Sequence, residues 1–294
     1  MNLTIVTAVW ERPEIFEMFA DGVKLLQDHF KGRLNIQVCV SGSEHEVTKT
    51  MVESKGYFYV EKDNRFLGRK MNMAAILARK TEPDYCLLVG SDDIMGTDIM
   101  KHYYKEMHKG TDYVSVSDFY FFDTVAKKAL YWAGYDTNLN RGHACGAGRM
   151  LSRRVMELLN YQPWCDDRLH NLLDQAFDRK IAPIKMTKVM LNLKELGCFG
   201  LDIKSSTNMT PFAQWHNTQY IDARVMLATN LPEDLAEKIY GQSLFLKCDK
   251  CKARAREQIM INHNDKPIKT YDLCEKHYKE FGVDGKIEKY LNKK

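Results

Sequence analysis

The sequence predicts an α/β protein built on a Rossmann-like parallel sheet, and three observations carry that prediction. Apolar, β-branched runs recur through the first ninety or so residues, helical apolar periodicity fills the gaps between them, and polar turns rich in Gly, Ser and Asp end them. Strands that are apolar throughout belong in sheets covered on both faces. A strand–helix–strand order makes such strands parallel, with right-handed crossovers.

The elements follow in order. Leu3–Val9 is the first run; no basic segment precedes it and Glu11 and Arg12 end it, so a strand is expected and not a secretion signal. Pro13 suits a first helical turn, with Glu14 and Glu17 complementing the helix dipole. Phe16, Phe19, Val23, Leu26 and Phe30 then share one helix face. Asn35–Val40 is the second strand, ended by Ser41-Gly42-Ser43, and Tyr57–Val60 is the third. A helix from about Gly68 to Lys80 packs Met71, Ala74, Ala75 and Ala78. Tyr85–Val89 is the fourth strand, stopped by Gly90-Ser91-Asp92-Asp93, with a helix beginning near Asp98. Asp112–Tyr135 is aromatic and alternating, as strands at the far side of the sheet would be. Arg149–Leu159 and Leu169–Phe177 read as helices, 193–222 as a polar functional loop or lid, and Pro232–Leu246 as a last helix. Residues 1–240 are expected to form the sheet domain and 241–294 a small module.

At 294 residues and 45% hydrophobic content the chain can bury a sizeable core. No apolar run approaches the roughly 18 to 20 residues a membrane span needs. Residues 248–294 hold 12 Lys/Arg and 8 Asp/Glu, so this stretch carries the whole net charge of +4. An anionic partner at the tail, or simply a basic solvated tail, follows from that. Cys39, Cys86, Cys145, Cys165 and Cys198 are scattered and read as core thiols. A cytoplasmic location is expected, so the remaining cysteines point to metal before disulfide. Cys248-x-x-Cys251 and Cys274-x-x-His277 give two chelating pairs that complete a tetrahedron for Zn²⁺. A redox Cys-x-x-Cys would not need the second pair. So short a module buries little core, and a structural zinc would contribute its folding energy.

Ligands bind such folds at the loops after the strands. One of these is Thr7–Pro13; another is Gly90–Asp93, where Asp92 and Asp93 stand side by side. Adjacent carboxylates repel, and a hard cation such as Mn²⁺ or Mg²⁺ relieves them. An ordinary Asp-Asp turn is the plainer account. Arg69 and Lys70 follow Gly68 at a helix start, a natural cradle for a diphosphate, although a solvated cap would look the same.

The order of these landmarks resembles the GT-A glycosyltransferases, especially their family-2-like group as found in bacteria and bacteriophages. Thr7, Arg12, Pro13 and Glu14 match its first-strand motif, and Asn64, Gly68, Arg69 and Asn72 match its second. Leu87-Leu88-Val89-Gly90-Ser91-Asp92-Asp93 matches its apolar strand and Asp-x-Asp-Asp motif. The resemblance covers roughly residues 1–180. It implies transfer of a sugar from a nucleoside diphosphate sugar held by Thr7, Ala8, Trp10, Arg12, Arg69, Ser91 and Asp92, and Lys204, in the 193–222 loop, is expected to close over the diphosphate with that loop. It implies a catalytic Mn²⁺ or Mg²⁺ on Asp92 and Asp93, with His216 as a third contact. It places the base in Asp166-Asp167, with Asp167 favoured and Asp174, seven residues on, as the rival. It sets His143–Arg149 under the sugar and the acceptor. Two departures stand out: Gly90 replaces the motif's first Asp, and Val40–Glu44 lacks the usual nucleobase-binding Asp.

The basic tail tilts the acceptor towards a modified base in DNA, with a glycan or surface polysaccharide as the alternative. From another class, a nucleic-acid-binding zinc protein with a degenerate transferase domain fits the two departures. A nucleotidyltransferase would carry a Gly-rich, Lys-containing first loop, which Thr7–Pro13 is not.

Overall fold

The fold comes from a computed structural model that describes residues 1–136, 142–164, 173–205 and 217–242, with Phe212, Trp215, Leu244 and the backbone of 257–261 and 269–273. The chain divides into two compact units, Met1–Leu231 and Pro232–Lys294. The first unit runs β1 (Asn2–Ala8), α1 (Pro13–His29), β2 (Asn35–Gly42), α2 (His45–Glu53), β3 (Phe58–Glu61), α3 (Leu67–Leu77) and β4 (Tyr85–Leu88). It continues through β5 (Asp93–Met95), α4 (Thr97–Lys109), β6 (Tyr113–Val116), β7 (Phe119–Asp123), β8 (Lys128–Trp132) and β9 (Arg149–Ser152). Then come α5 (Arg153–Leu158), α6 (Leu173–Ile181), β10 (Lys188–Leu191), α7 (Leu193–Leu196), β11 (Gly200–Lys204), β12 (Thr218–Ile221) and α8 (Ala223–Asn230). The second unit holds α9 (Glu233–Tyr240) and the antiparallel pair β13 (Glu257–Ile261) and β14 (Lys269–Leu273).

Seven strands form the main sheet in the order β10-β6-β9-β4-β1-β2-β3. β4 lies at its centre, and β1 beside it is parallel to both β4 and β2. Strand alternation sends side chains to two faces, and each face has its own core. Leu3, Ile5 and Val38 meet the α1 stripe of Phe16, Phe19 and Val23 and Ile99, Met100 and Tyr103 of α4. Val6, Cys39 and Leu88 meet Met71, Ala74 and Ala75 of α3, Val155 and Met156 of α5, and Phe177 of α6. Each fully buried Phe of α1 contributes roughly 1.5–3 kcal/mol. That anchoring fixes the β1–α1 loop, from which the site takes several of its residues.

Two expectations need correction. Arg149–Leu159 is not one helix: Arg149–Ser152 is β9, antiparallel to both β4 and β6, and the helix starts only at Arg153. The main sheet is therefore mixed and not purely parallel. Four consecutive buried residues are what a central strand requires, and the Ser152 side chain then caps α5 by accepting from the Val155 amide. Nor is 193–222 irregular throughout. Gly200–Lys204 is strand β11, with Leu201 and Ile203 fully buried on one face and Asp202 and Lys204 alternating onto the other.

A second, five-stranded sheet has the order β12-β8-β7-β11-β5. In it β11 pairs antiparallel with β5, and Asp202 lies directly opposite Asp93. Among the described residues no helix is long and apolar enough to cross a membrane.

Candidate active site

The C-terminal ends of β1 and β4 and the β5/β11 pair converge on a cavity of about 410 Å³. One part of it is densely charged. One carboxylate oxygen from each of Asp92, Asp93 and Asp202 lies within 4.8 Å of the other two. Arg12 donates through Nη1 to Asp92 Oδ2 at 2.7 Å and through Nη2 to Ser91 Oγ at 3.0 Å. Lys204 Nζ donates to Asp202 Oδ2 at 2.6 Å. Asp202 Oδ1 is buried and has no hydrogen-bond partner among the described residues.

Three acids face two bases in this largely buried cluster, and the acids respond unequally. Burial raises the Asp92 carboxyl, but Arg12 and Lys204 outweigh it and hold the pKa below its usual value. Asp93 is pushed well up by burial and by Asp202 and Asp92, and Asp202 is pushed up to about 6, chiefly by burial. A cluster of hard oxygen donors containing an unpartnered buried oxygen is a set that a divalent cation such as Mn²⁺ or Mg²⁺ fits.

Gly90 makes this arrangement possible. A Cβ there would lie 2.4 Å from Asp92 Oδ1 and 2.9 Å from Asp93 Oδ2. The Gly90 amide itself donates to Asp93 Oδ2 at 2.5 Å. The glycine at position 90 is thus what lets both acids fold back.

Lys70, and not Arg69, points inward. Lys70 is 1% exposed and donates to Val9 O, Ser43 Oγ and Asn64 Oδ1 at 2.6, 2.8 and 3.1 Å, and burial lowers its pKa to about 8. Arg69 is exposed, stacks on Phe66 and does not line the cavity. Ala8, Trp10, Arg12, Ser91 and Lys204 do line it. Thr7 is buried behind them, its Oγ1 unpartnered among the described residues. Asn72 exchanges two hydrogen bonds with the Trp164 backbone, at 3.0 and 3.1 Å, and so fixes a lining residue.

Asp174 also lines the cavity. Its Oδ2 accepts from the Tyr135 hydroxyl at 2.8 Å, and its Oδ1 pairs with Arg149 Nη2 at 3.3 Å. Arg149 is buried, donates to Cys145 O and Ala144 O, and lies over the Phe177 ring. Gly146 makes the room, since a Cβ there would meet Asp174 Oδ1 at 2.9 Å. Asp166, Asp167 and His216 lie outside the described residues, as do Cys248, Cys251, Cys274 and His277.

The sequence reading missed Asp202, together with the Arg149 and Tyr135 that hold Asp174. The alternation Leu201/Ile203 against Asp202/Lys204 was the available signal.

No protein-family model matches the sequence. No curated protein matches it either. Solved structures do. The S. aureus TarS fragment 1-349 in complex with UDP-GlcNAc superposes with a TM-score of 0.51 at 13% identity, over 82% of this chain and 70% of that one. The same fragment in complex with UDP gives the same values. For S. aureus TarS the TM-score is 0.50 at 12% identity, over 81% of this chain but only 42% of TarS.

The chain shares the TarS fold. At these identities the likeness speaks for the α/β architecture alone and leaves the chemistry to the residues themselves.

Proposed function

We propose that the protein is a glycosyltransferase that moves a sugar from a nucleoside diphosphate sugar to an acceptor hydroxyl. One observation carries this reading: a single cavity is lined both by the Asp92/Asp93/Asp202 cluster with Arg12 and Lys204, and by a separately held carboxylate, Asp174. Its context is a fold shared with a protein crystallised with UDP-GlcNAc.

Asp92, Asp93 and Asp202 would hold Mn²⁺ or Mg²⁺, which when bound neutralises a departing diphosphate. His216 is a further candidate ligand. Arg12 and Lys204 set fixed positive charge beside the same phosphates. Asp174 accepts the proton of the acceptor hydroxyl as that oxygen attacks, while Tyr135 and Arg149 hold the carboxylate in orientation. A base used in this way belongs to direct displacement, which inverts the sugar's anomeric centre. Asp167, beside Asp166, is the second candidate for that proton.

For the second unit, we read Cys248, Cys251, Cys274 and His277 as a structural Zn²⁺ site. The register Glu257↔Leu273 supports this, because β14 ends at the residue before Cys274 and its partner β13 follows Cys251 closely. The tail's net +4 favours an anionic acceptor, DNA bearing a hydroxylated base. A glycan acceptor is the alternative, and full transfer by residues 1–247 to a saccharide but to no DNA would select it.

The test is a panel of nucleoside diphosphate sugars with and without Mn²⁺, read by thermal shift and by release of the nucleoside diphosphate. At least one donor should raise Tm and be turned over, and Asp92→Ala should abolish turnover with the fold intact. A panel in which nothing binds, or an Asp92→Ala variant with normal turnover, overturns the proposal.

A further inference from the structure

The turn that carries Trp10 and Arg12 into the cavity is strained. Glu11 stands between them with a φ of 45°, in the left-handed region that residues with a Cβ adopt only at a cost. Glu11 does not line the cavity, but the residues on either side of it do. Arg12 holds the N-cap position of α1, where a side chain that accepts hydrogen bonds is preferred, and a guanidinium accepts none. Its Nη1 and Nη2 go to Asp92 and Ser91 instead. The residues at 11 and 12 thus go against their own backbone, as residues do where a site and not the fold has set them.

Something outside the turn has to hold it. Glu44 does so from the loop after β2. It occupies the N-cap position of α2, yet among the described residues its carboxylate accepts from no amide of that helix. Both oxygens turn to the Glu11 amide, at 2.9 and 3.0 Å, and Oε2 also accepts from the Thr48 hydroxyl at 2.7 Å. Thr48 is buried, so the carboxylate is braced from the inner side. The ends of the turn are tied down separately. The Val9 amide donates to Ser41 O at 3.0 Å and its carbonyl accepts from Lys70, while the Arg12 carbonyl accepts from the Phe16 amide at 2.9 Å. Between these anchors, Glu44 fixes the peptide in the middle.

We infer that Glu44 is a positioning residue: its carboxylate clamps the left-handed Glu11 and so aims Arg12 at the acidic cluster. The consequence for turnover rests on the glycosyl-transfer reading, whereas the clamp itself is a property of the backbone. Without the carboxylate, Glu11 relaxes towards negative φ, and Arg12, the next residue, moves off Asp92. With glycine at position 11 the left-handed turn carries no such cost, and the clamp becomes dispensable.

The test is a cycle of four full-length chains: wild type, Glu44→Ala, Glu11→Gly and the double variant. Each is melted, and each is assayed for kcat/KM with the preferred sugar nucleotide among UDP-GlcNAc, UDP-glucose, UDP-galactose and GDP-mannose. Glu44→Ala should lower kcat/KM about ten- to a hundredfold, the effect of an ångström-scale misplacement of Arg12. It should lower Tm by about 1–8 °C, as loss of a side-chain acceptor at a backbone amide does in a unit of this size. In the Glu11→Gly background the same substitution should cost less than about threefold in kcat/KM and less than half as much in Tm. Equal losses in the two backgrounds overturn the inference, as does a wild-type kcat/KM in Glu44→Ala. Should Glu44→Ala not fold, Glu44→Gln, which keeps one acceptor oxygen, takes its place in the cycle with a smaller loss that glycine again rescues. A wild-type chain that turns over no member of the panel overturns the glycosyl-transfer reading, and the coupling in Tm then decides the clamp by itself.

Discussion

Replacing Gly90 by Ala should cost activity out of proportion to stability. The added Cβ would lie 2.4 Å from Asp92 Oδ1, 2.9 Å from Asp93 Oδ2 and 3.4 Å from Asp93 Cγ. Neither carboxylate swings away easily. Asp92 is tied to Arg12 at 2.7 Å, and Asp93 accepts from the Gly90 amide. Restoring an ordinary contact of about 3.5 Å moves the Asp92 carboxylate by about 1 Å. A displacement of that size at a reacting centre costs about a hundredfold in rate. The same methyl costs about 1–3 kcal/mol as overpacking, which for a unit of this size lowers Tm by about 2–12 °C. The assay is kcat/KM with the preferred donor beside a thermal melt. Gly90→Asp, which supplies the acid of the motif the sequence resembles, brings the same Cβ and should be no better. A Gly90→Ala variant within about threefold of wild-type kcat/KM, a loss far smaller than 1 Å of misplacement implies, refutes this account of the acidic cluster.

Three further outcomes follow. Asp174→Asn should lose about 10²- to 10⁴-fold in turnover while the donor still binds, because an amide keeps the shape and accepts no proton; if only Asp167→Asn behaves so, the base is Asp167. Asp202, pushed up to about 6 chiefly by burial, binds its proton more tightly folded than unfolded, so its contribution to stability falls as pH rises from about 4 to about 6. Without divalent cation, wild-type stability measured against Asp202→Asn should therefore decline across that window by up to about 3 kcal/mol, and a difference flat with pH refutes the assignment. Removing zinc with a chelator should melt the second unit, and neutralising Lys250, Lys252, Arg254 and Arg256 should raise KM for a DNA acceptor and flatten its salt dependence; unchanged values for both would leave the tail without the proposed role.

What the sequence made legible was local. β1, β2, β4, α1 and the start of α4 announce themselves by apolar runs, spacing and stop signals confined to a few residues. Asp92 and Asp93 were found because they directly follow such a run. β9 is not, since Arg149-Met150-Leu151-Ser152 ahead of a helix reads as its first turn until β4 and β6 are known to flank it. Asp202 is only half legible: the Leu201/Ile203 alternation puts it on the polar face of a strand, but that it stands opposite Asp93 comes from the pairing of β11 with β5. The choice between Arg69 and Lys70 was readable, however. Ala74 is buried, and a residue four positions earlier shares its helix face, so position 70 and not 69 belongs inside.

The two departures from the family pattern then differ in kind. At Gly90 the lost side chain is compensated on the spot, because its absence is what seats Asp92 and Asp93 beside Arg12. After β2 no acid replaces the missing one. Lys70 occupies that corner, with Val9, Ser43 and Asn64 each accepting from its ammonium, and the nearby Glu44 carboxylate is taken by the Glu11 amide and the Thr48 hydroxyl. The Glu44 oxygens are thus already engaged, and Asn64, which lines the cavity, has its side-chain oxygen held by Lys70. On the proposed function, a nucleobase entering this corner meets Lys70 and Asn64 where the resembled motif carries an acid.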